Sequence, residues 1–173
     1  IALMEDQVRN LNERGIPATF INSSQPYHTI DHKLQMAMDG KYRFLYLAPD
    51  RLQTEMFQAR LPQLDVRLLA VDEAHCISQW GYDFRPAYLQ IGDLREQLPG
   101  VPTIALTASA PPQVAIDIVD KLHMAQPRIF RKSFRRENLT YEVRASDDIP
   151  GLILRYLKGR DEAGIIYART RKR

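Results

Sequence analysis

The sequence predicts an α/β fold in which a mostly parallel sheet carries helices on both faces. Strand-like and helix-like segments alternate along the 173 residues, which is the pattern of parallel strands joined by helical crossovers. Segments 68–71 and 103–106 are apolar without polar alternation, as strands buried on both faces are. Sheets of this kind bind ligands beyond the carboxyl ends of their strands. The residues that follow each strand are therefore the first candidates for function.

Apolar periodicity, with Gly and Pro as boundaries, predicts the order of the elements. Helices are expected at 4–14, 26–40, 51–59, 87–98, 111–122 and 149–157. Strands are expected at 18–21, 44–47, 68–71, 103–106, 128–130, 139–143 and 164–167. The polar, basic stretch 131–138 interrupts this alternation. We therefore expect one domain over residues 1–134 and the beginning of a second, truncated α/β domain over residues 135–173.

Composition sets only broad limits on function. Hydrophobic residues make up 45% and charged residues 26% of the chain, a balance typical of globular proteins. Cys76 is the single cysteine, so an internal disulfide and a cysteine-rich zinc site are excluded. No segment approaches the roughly 18 apolar residues of a membrane span, and a membrane partner is not expected. The net charge of +3 permits nucleic-acid binding without indicating it.

Basic residues form two clusters late in the chain. The clusters consist of Arg128, Arg131, Lys132, Arg135 and Arg136, and of Arg169, Arg171, Lys172 and Arg173. A solvated rim and a phosphate-binding surface remain equally open for each cluster.

The motif Asp72-Glu73-Ala74-His75 follows the predicted strand 68–71. Two adjacent acids at a strand end can divide the work of nucleotide hydrolysis. Asp72 can hold Mg²⁺, and Glu73 can orient and deprotonate the attacking water. The alternative is that two acids simply end a strand at a solvated turn. A bare Asp-Glu pair would favour this alternative. The complete four-residue motif favours the hydrolytic site.

Two further segments contain candidate functional residues. Trp80, Tyr82, Phe84 and Arg85 lie in a short segment with Gly and Pro, which predicts an exposed loop on which unpaired bases can stack. A loop folded onto its own aromatic cluster remains the alternative. Thr107 and Ser109 follow the strand 103–106, where hydroxyls could connect a nucleotide site to its surroundings or simply form a turn.

Together these motifs resemble the RecQ family of superfamily 2, the DEAH-type ATP-dependent DNA helicases. Residues 72–75 resemble its motif II, residues 80–86 its aromatic-rich loop, and residues 105–110 its motif III. Residues 3–8 and 46–52 resemble motifs Ia and Ib, and residues 164–167 with Thr170 and Arg171 resemble motif IV. The resemblance runs nearly end to end. It implies RecA-like motor domains, with residues 1–134 in the first and residues 135–173 at the start of the second.

The resemblance also implies roles and partners. ATP and Mg²⁺ would be the cofactors, and single-stranded and partly duplex DNA would be the partners. Asp72 and Glu73 would serve Mg²⁺ and the attacking water. His75 and the loop residues Trp80, Tyr82, Phe84 and Arg85 would couple DNA binding to hydrolysis. Arg51 would contact the DNA backbone, and Thr107 and Ser109 would connect the two sites.

The chain departs from the family pattern in several places. Tyr82 stands where the family usually has His, and Ser109 stands where it usually has Thr. No Gly-x-x-x-x-Gly-Lys-Ser/Thr phosphate loop occurs in the sequence, and in the family that loop precedes motif Ia. The arginine finger of motif VI is expected beyond Arg173. We therefore expect the isolated chain to hydrolyse ATP negligibly, because the finger alone contributes roughly 10³ to 10⁵ in rate.

The expected function of the parent protein is ATP-dependent DNA unwinding in the 3′ to 5′ direction, in recombination and repair. Two alternatives remain open. One is a non-catalytic nucleic-acid-binding module on a degenerate helicase scaffold, and the other is a DEAH-type RNA helicase. The expected location is the cytoplasm of a bacterium or the nucleus of a eukaryote, with a bacterial source favoured.

Overall fold

The computed structural model describes residues 2–133, 135–159, 161 and 163–167. The chain divides into two compact units, Ile1–Ile129 and Phe130–Arg173. The first unit contains four strands and five α-helices among its described residues. The strands are β1 (Ala18–Ile21), β2 (Phe44–Leu47), β3 (Leu69–Val71) and β4 (Thr103–Ala105). The helices are α1 (Ala2–Glu13), α2 (Tyr27–Met38), α3 (Glu55–Arg60), α4 (Gln90–Glu96) and α5 (Pro112–Lys121).

The strands form two parallel pairs, each a separate two-stranded sheet. The parallel direction was predicted, whereas the division into two sheets was not. β1 pairs with β2, with Ala18 opposite Phe44. β3 pairs with β4, with Val71 opposite Ala105. Each pair is extended by one backbone hydrogen bond just past the strand ends, Ala48 N to Ile21 O at 3.0 Å and Leu106 N to Val71 O at 2.8 Å. The loops that follow paired strands therefore leave the same edge of the sheet together.

A glycine and an asparagine set the angle between α1 and β1. Gly15 has φ +75°, a conformation that glycine adopts without strain after a helix end. Asn12 then brackets the first strand residue, because its Nδ2 donates to Ala18 O at 3.1 Å and its Oδ1 accepts from Ala18 N at 2.9 Å. This pairing ties the beginning of β1 to the last turn of α1.

The hydrophobic core of the first unit joins both strand pairs to the helices. Its side chains come from β1, β3, α2, α3, α4, α5 and the turn after β3. The buried members are Ile21, Ile30, Leu34, Leu52, Phe57, Leu61, Val71, Ala74, Ile77, Ile91, Leu94, Val114, Ile118 and Leu122. Since Ala74 and Ile77 belong to this core, the segment that carries the acidic motif is anchored by burial.

The prediction that β3 and β4 are buried on both faces is wrong. Ala70 is exposed and Ile104 is 44% exposed, and these two residues are register partners. Alternate side chains of a strand point to opposite faces, so the exposed pair marks one open face among the described residues. Leu68 and Leu106, predicted as strand residues, lie outside the strands and are 57% and 47% exposed.

The predicted helices 51–59 and 87–98 begin later than expected, α3 at Glu55 and α4 at Gln90, because the chain before each forms a 3-10 turn instead of an α-helix. Pro49–Arg51 forms such a turn before α3, and Pro86–Leu89 forms one before α4. Proline fits the first turn of a helix but interrupts hydrogen bonding before it. Among the described residues, no helix has the length and apolar character needed to cross a bilayer.

The second unit contains α6 (Ile149–Leu157), which has the predicted bounds. Asp148 caps it, because its Oδ1 accepts from Gly151 N at 2.9 Å. The predicted strands 139–143 and 164–167 are absent, as is the strand 128–130 at the junction of the two units. A strand needs a hydrogen-bonded neighbour, and the described residues of this unit provide none. Thr170, Arg171 and the basic cluster 169–173 lie outside the described residues.

Candidate functional site

The acidic motif and the hydroxyl segment are joined through the backbone. β3 ends at Val71 and β4 ends at Ala105. Leu106 N donates to Val71 O, and Ala74 N donates back to Leu106 O at 2.9 Å. The chain that leaves β3 is therefore hydrogen-bonded to the chain that leaves β4. This arrangement brings the segments 72–75 and 107–109 together at the carboxyl edge, as expected for a ligand site in a parallel sheet.

The two acids present their carboxyl groups to solvent. Asp72 and Glu73 are both exposed. Glu73 has φ 49° and ψ 41°, the left-handed conformation that costs a residue with a Cβ roughly 1–2 kcal/mol. The Glu73 N–H donates to Asp72 Oδ1 at 2.9 Å, which offsets part of this cost. Backbone strain of this kind is concentrated at functional sites.

His75 connects Glu73 to Thr107. Its Nδ1 lies 3.0 Å from Thr107 Oγ1 and 3.3 Å from Glu73 Oε2. If Nδ1 carries the ring hydrogen, it can donate to Thr107 Oγ1 or to Glu73 Oε2, whereas in the other tautomer Nδ1 accepts from the Thr107 hydroxyl. Ser109 N also donates to Thr107 Oγ1, at 3.2 Å. The structure therefore brings Glu73, His75, Thr107 and Ser109 into one chain of polar contacts.

The aromatic loop, residues 80–86, is largely exposed to solvent. Trp80 is 73% exposed and Tyr82 is fully exposed, whereas Phe84 is half-buried. The alternative of a loop closed over its own aromatic cluster is thus wrong for Trp80 and Tyr82. Arg85 N donates to Cys76 O at 2.9 Å, which ties the end of the loop to the turn Ala74–Ile77 that precedes it.

The charged residues of the aromatic loop form a pair. Arg85 Nε donates to Asp83 Oδ2 at 3.0 Å. This hydrogen bond lowers the pKa of the Asp83 carboxyl, and the same partner raises the pKa of the Arg85 guanidinium. Arg85 itself is exposed. Its charge is therefore accessible to an anionic ligand, in competition with Asp83.

Gly81 is a residue whose importance the sequence did not indicate. A Cβ at this position would lie 2.5 Å from His75 O and 3.0 Å from Ser78 O. These backbone oxygens cannot move without displacing the segment that carries His75. Glycine is thus required by close approach of two backbone segments. The need for glycine at position 81 comes from its contact with His75, six positions earlier. No local sequence pattern indicates that contact.

Ser78 and Asp117 form a hydrogen-bonded pair that the sequence analysis did not predict. Ser78 is fully buried, and its Oγ donates to Asp117 Oδ2 at 2.6 Å. The same Oγ accepts from Trp80 N at 3.1 Å. Since the partners are 39 positions apart, only the fold brings them together. Next to them, burial raises the pKa of the Cys76 thiol, consistent with a packed, unreactive side chain.

Arg51 lies in the 3-10 turn Pro49–Arg51, which lies beside the turn Pro86–Leu89 at the end of the aromatic loop. Its guanidinium Nε donates to Asp50 Oδ2 at 3.0 Å. The side chain also lines a cleft of about 330 Å³ with Tyr27 and Thr54. The structure therefore brings Arg51 close to the loop, at the edge where β2 ends.

The described residues fit only part of a nucleotide site. The exposed carboxyl of Asp72 has the oxygen donors that Mg²⁺ prefers. No group of three or more His, Cys, Asp or Glu side chains within the described part of the chain could hold a metal ion by itself. Mg²⁺ ordinarily takes one or two carboxylates and completes its shell with water and phosphate oxygens. Asp72 therefore suits Mg²⁺ that arrives with a nucleotide, and a separate protein-only metal site is not present in this part.

Comparison with known proteins shows that this chain is similar to helicases. Residues 1–118 match the model of the DEAD/DEAH box helicase family. The ATP-dependent DNA helicase RecQ of Bacillus subtilis is 45% identical over 99% of this chain and 29% of its own length. The RecQ of Pasteurella multocida is 37% identical over 100% of the chain and 28% of its own length. The RecQ-like DNA helicase BLM of Xenopus laevis is 40% identical over 82% of the chain and 11% of its own length. The chain thus spans less than a third of each of these relatives.

Proposed function

We propose that this chain, which belongs to the DEAD/DEAH box helicase family, forms part of the motor of an ATP-dependent DNA helicase. Its relatives confirm the resemblance to RecQ. The observation that carries the proposal is the contact of His75 with both Glu73 and Thr107. It links a carboxylate suited to water activation with the segment that follows the neighbouring strand. The motor would unwind DNA from 3′ to 5′, in recombination and repair.

Asp72 and Glu73 would carry the hydrolytic chemistry. ATP with Mg²⁺ would supply the phosphoryl group, and Asp72 would bind the metal through its exposed carboxylate. Glu73 would orient the attacking water and accept its proton. Its Oε2 is 3.3 Å from His75 Nδ1, so His75 would determine whether this carboxylate is free to meet the water. Thr107 and Ser109 would hold His75 in place and connect it to the DNA site.

The DNA site would extend over the aromatic loop and Arg51. Exposed Trp80 and Tyr82 offer faces on which unpaired bases can stack, each stacked base contributing roughly 1–3 kcal/mol. Phe84 is half-buried and would support the loop from below. Arg85 and Arg51 would contact backbone phosphates, and Arg51 lies in the turn beside the loop's end. Single-stranded and partly duplex DNA are the proposed partners.

The division of the chain has a functional interpretation. We propose that residues 1–134 belong to the first RecA-like motor domain and that residues 135–173 begin the second. We further propose a location in the bacterial cytoplasm at the nucleoid, with the eukaryotic nucleus as the alternative.

The isolated 173-residue chain has its own expected behaviour, distinct from that of the full-length protein. The 173 residues contain no Gly-x-x-x-x-Gly-Lys-Ser/Thr sequence, and that loop cradles the phosphates in helicases of this class. The isolated chain is therefore expected to bind single-stranded DNA while hydrolysing ATP negligibly. Steady-state ATP hydrolysis by the chain alone, above background and lost in Glu73→Gln, would contradict this expectation.

The deciding experiment measures ATP hydrolysis by the full-length protein with no nucleic acid, with single-stranded DNA and with single-stranded RNA. Three proteins are compared: wild type, Glu73→Gln, and the matched control Glu13→Gln at an exposed position of α1. We expect strong DNA stimulation in wild type and control, and a rate roughly 10² to 10⁴ lower in Glu73→Gln. Stimulation by RNA alone would favour an RNA helicase. Absence of hydrolysis in all three conditions would leave only the non-catalytic module.

A further inference from the structure

We propose that Ser78 and Asp117 act as a positioning pair for the aromatic loop, fixing Trp80 in place from helix α5. The inference deepens the proposed function and rests on it for the loop's role in DNA binding. Ser78 is fully buried, so its hydroxyl has no water to satisfy it. The bond to Asp117 Oδ2 is 2.6 Å long, within the range of a hydroxyl that donates to a carboxylate.

Four hydrogen bonds converge on Ser78. Its N–H donates to His75 O at 3.1 Å, and its carbonyl accepts from Gly81 N at 3.0 Å. Its Oγ accepts from Trp80 N at 3.1 Å. A hydroxyl has one hydrogen to donate, and Asp117 receives it. The lone pairs of Oγ are thereby turned toward Trp80 N, so Asp117 acts on Trp80 through Ser78.

The helix on the other side of this contact is itself fixed. α5 packs against the turn Ala74–Ile77, which follows the acidic motif. Val114 and Ile118 of α5 are buried in the same core as Ala74 and Ile77. Asp117 lies between these two buried positions of the helix and is held by their packing. The pair thus connects the base of the aromatic loop to a rigid element.

Two kinds of substitution separate a positioning role from a merely structural one. Asp117→Ala removes the acceptor, whereas Asp117→Asn keeps an oxygen that can still accept from Ser78 Oγ. Asp120→Ala removes an exposed acid from the same helix and serves as the matched control. Ser78→Ala removes the contacts to both Asp117 and Trp80. The double variant Ser78→Ala/Asp117→Ala should therefore leave Trp80 no more mobile than Ser78→Ala alone does, because Asp117 acts on Trp80 only through Ser78.

The first measurement uses the 173-residue chain, in which Trp80 is the single tryptophan. Time-resolved fluorescence anisotropy then reports nanosecond rotation of this side chain alone. We expect a larger fast component in Asp117→Ala and Ser78→Ala, and wild-type values in Asp117→Asn and Asp120→Ala. Wild-type mobility in Asp117→Ala, or equal changes in Asp117→Ala and Asp117→Asn, would overturn the proposal.

The second measurement uses the full-length protein and varies the concentration of single-stranded DNA. For Asp117→Ala, we expect the DNA concentration that gives half-maximal stimulation to rise about tenfold, since a hydrogen bond to a charged group changes an equilibrium by roughly this factor. Hydrolysis without DNA should stay within about twofold. A proportional loss of both rates would indicate a folding defect and overturn the proposal. If wild type shows no DNA stimulation, the proposed function fails, while the anisotropy measurement still decides the positioning pair.

Discussion

Gly81→Ala should uncouple the aromatic loop from the acidic motif. The Cβ added at this position would lie 2.5 Å from the backbone oxygen of His75. Ordinary van der Waals contact begins at 3.4 Å, so the loop must retreat by about 3.4 − 2.5 = 0.9 Å. The second obstacle, Ser78 O at 3.0 Å, accepts the hydrogen bond from Gly81 N. Retreat from His75 therefore also disturbs the bond that closes the turn.

The expected free-energy change follows from these two contacts. Relieving an overlap by a backbone shift costs roughly 1–3 kcal/mol, and weakening one hydrogen bond adds about 1 kcal/mol. Alanine reduces the entropy of the unfolded chain, which offsets roughly 0.4–1 kcal/mol. The net loss of unfolding free energy is roughly 1–3.6 kcal/mol, and at about 2–4 °C per kcal/mol the corresponding drop in Tm is on the order of 2–14 °C.

Chemical and thermal unfolding of the chain would measure this loss, with Gly164→Ala as the control. An added Cβ at Gly164 meets no atom within 4 Å, so its effect should stay within about 0.5 kcal/mol. In the full-length protein, Gly81→Ala should reduce DNA-stimulated hydrolysis more than hydrolysis without DNA. Wild-type stability together with wild-type DNA stimulation would refute the close approach of Gly81 to His75 as a coupling contact.

Three further outcomes are expected. Glu73→Gly should be more stable than Glu73→Ala by about 1 kcal/mol in urea unfolding, because only glycine is unstrained in the left-handed conformation. Both variants should lose ATP hydrolysis in the full-length protein. Equal stabilities would contradict the observed backbone conformation of Glu73. Burial raises the pKa of the Cys76 thiol, so this group stabilises the folded state below the unfolded thiol pKa of roughly 8.5. That contribution is lost as the pH rises through the higher folded pKa, so unfolding between neutral and alkaline pH should show a loss of stability that Cys76→Ala lacks. Arg51→Ala should lower the slope of log K against log salt for single-stranded DNA by about 0.7, the value for one phosphate contact, whereas Arg14→Ala at an exposed position just after α1 should leave it unchanged.

Local sequence patterns predicted much of the first unit. β1 and β2 have the predicted bounds, because each is a short apolar run bounded by turn residues. The positions of the acidic motif after β3 and of the hydroxyl segment after β4 also agree with prediction. Each of these features depends on residues that are neighbours along the chain. The same holds for α6, which Asp148 caps and which has Pro150 in its first turn.

Features that depend on distant contacts could not be predicted. The strands expected at 128–130, 139–143 and 164–167 are absent, since a β-prone segment becomes a strand only when a partner is available. The left-handed conformation of Glu73 has no local signal, because glutamate does not favour it. The bond between Ser78 and Asp117 joins residues 39 positions apart. Sequence reasoning thus predicted where the candidate residues lie relative to β3 and β4, but not the contacts that hold them.

Those contacts determine how the aromatic loop could act on hydrolysis. Gly81 approaches the His75 backbone so closely that even one methyl group does not fit, so a loop that moves on binding DNA must move with His75 or slide past it. His75 in turn contacts Glu73 and is held from the other side by Thr107. A displacement of His75 would therefore change the distance between its imidazole and the Glu73 carboxylate. Because Glu73 Oε2 lies 3.3 Å from His75 Nδ1, such a displacement would release the carboxylate to which the proposed function assigns the orientation of the attacking water.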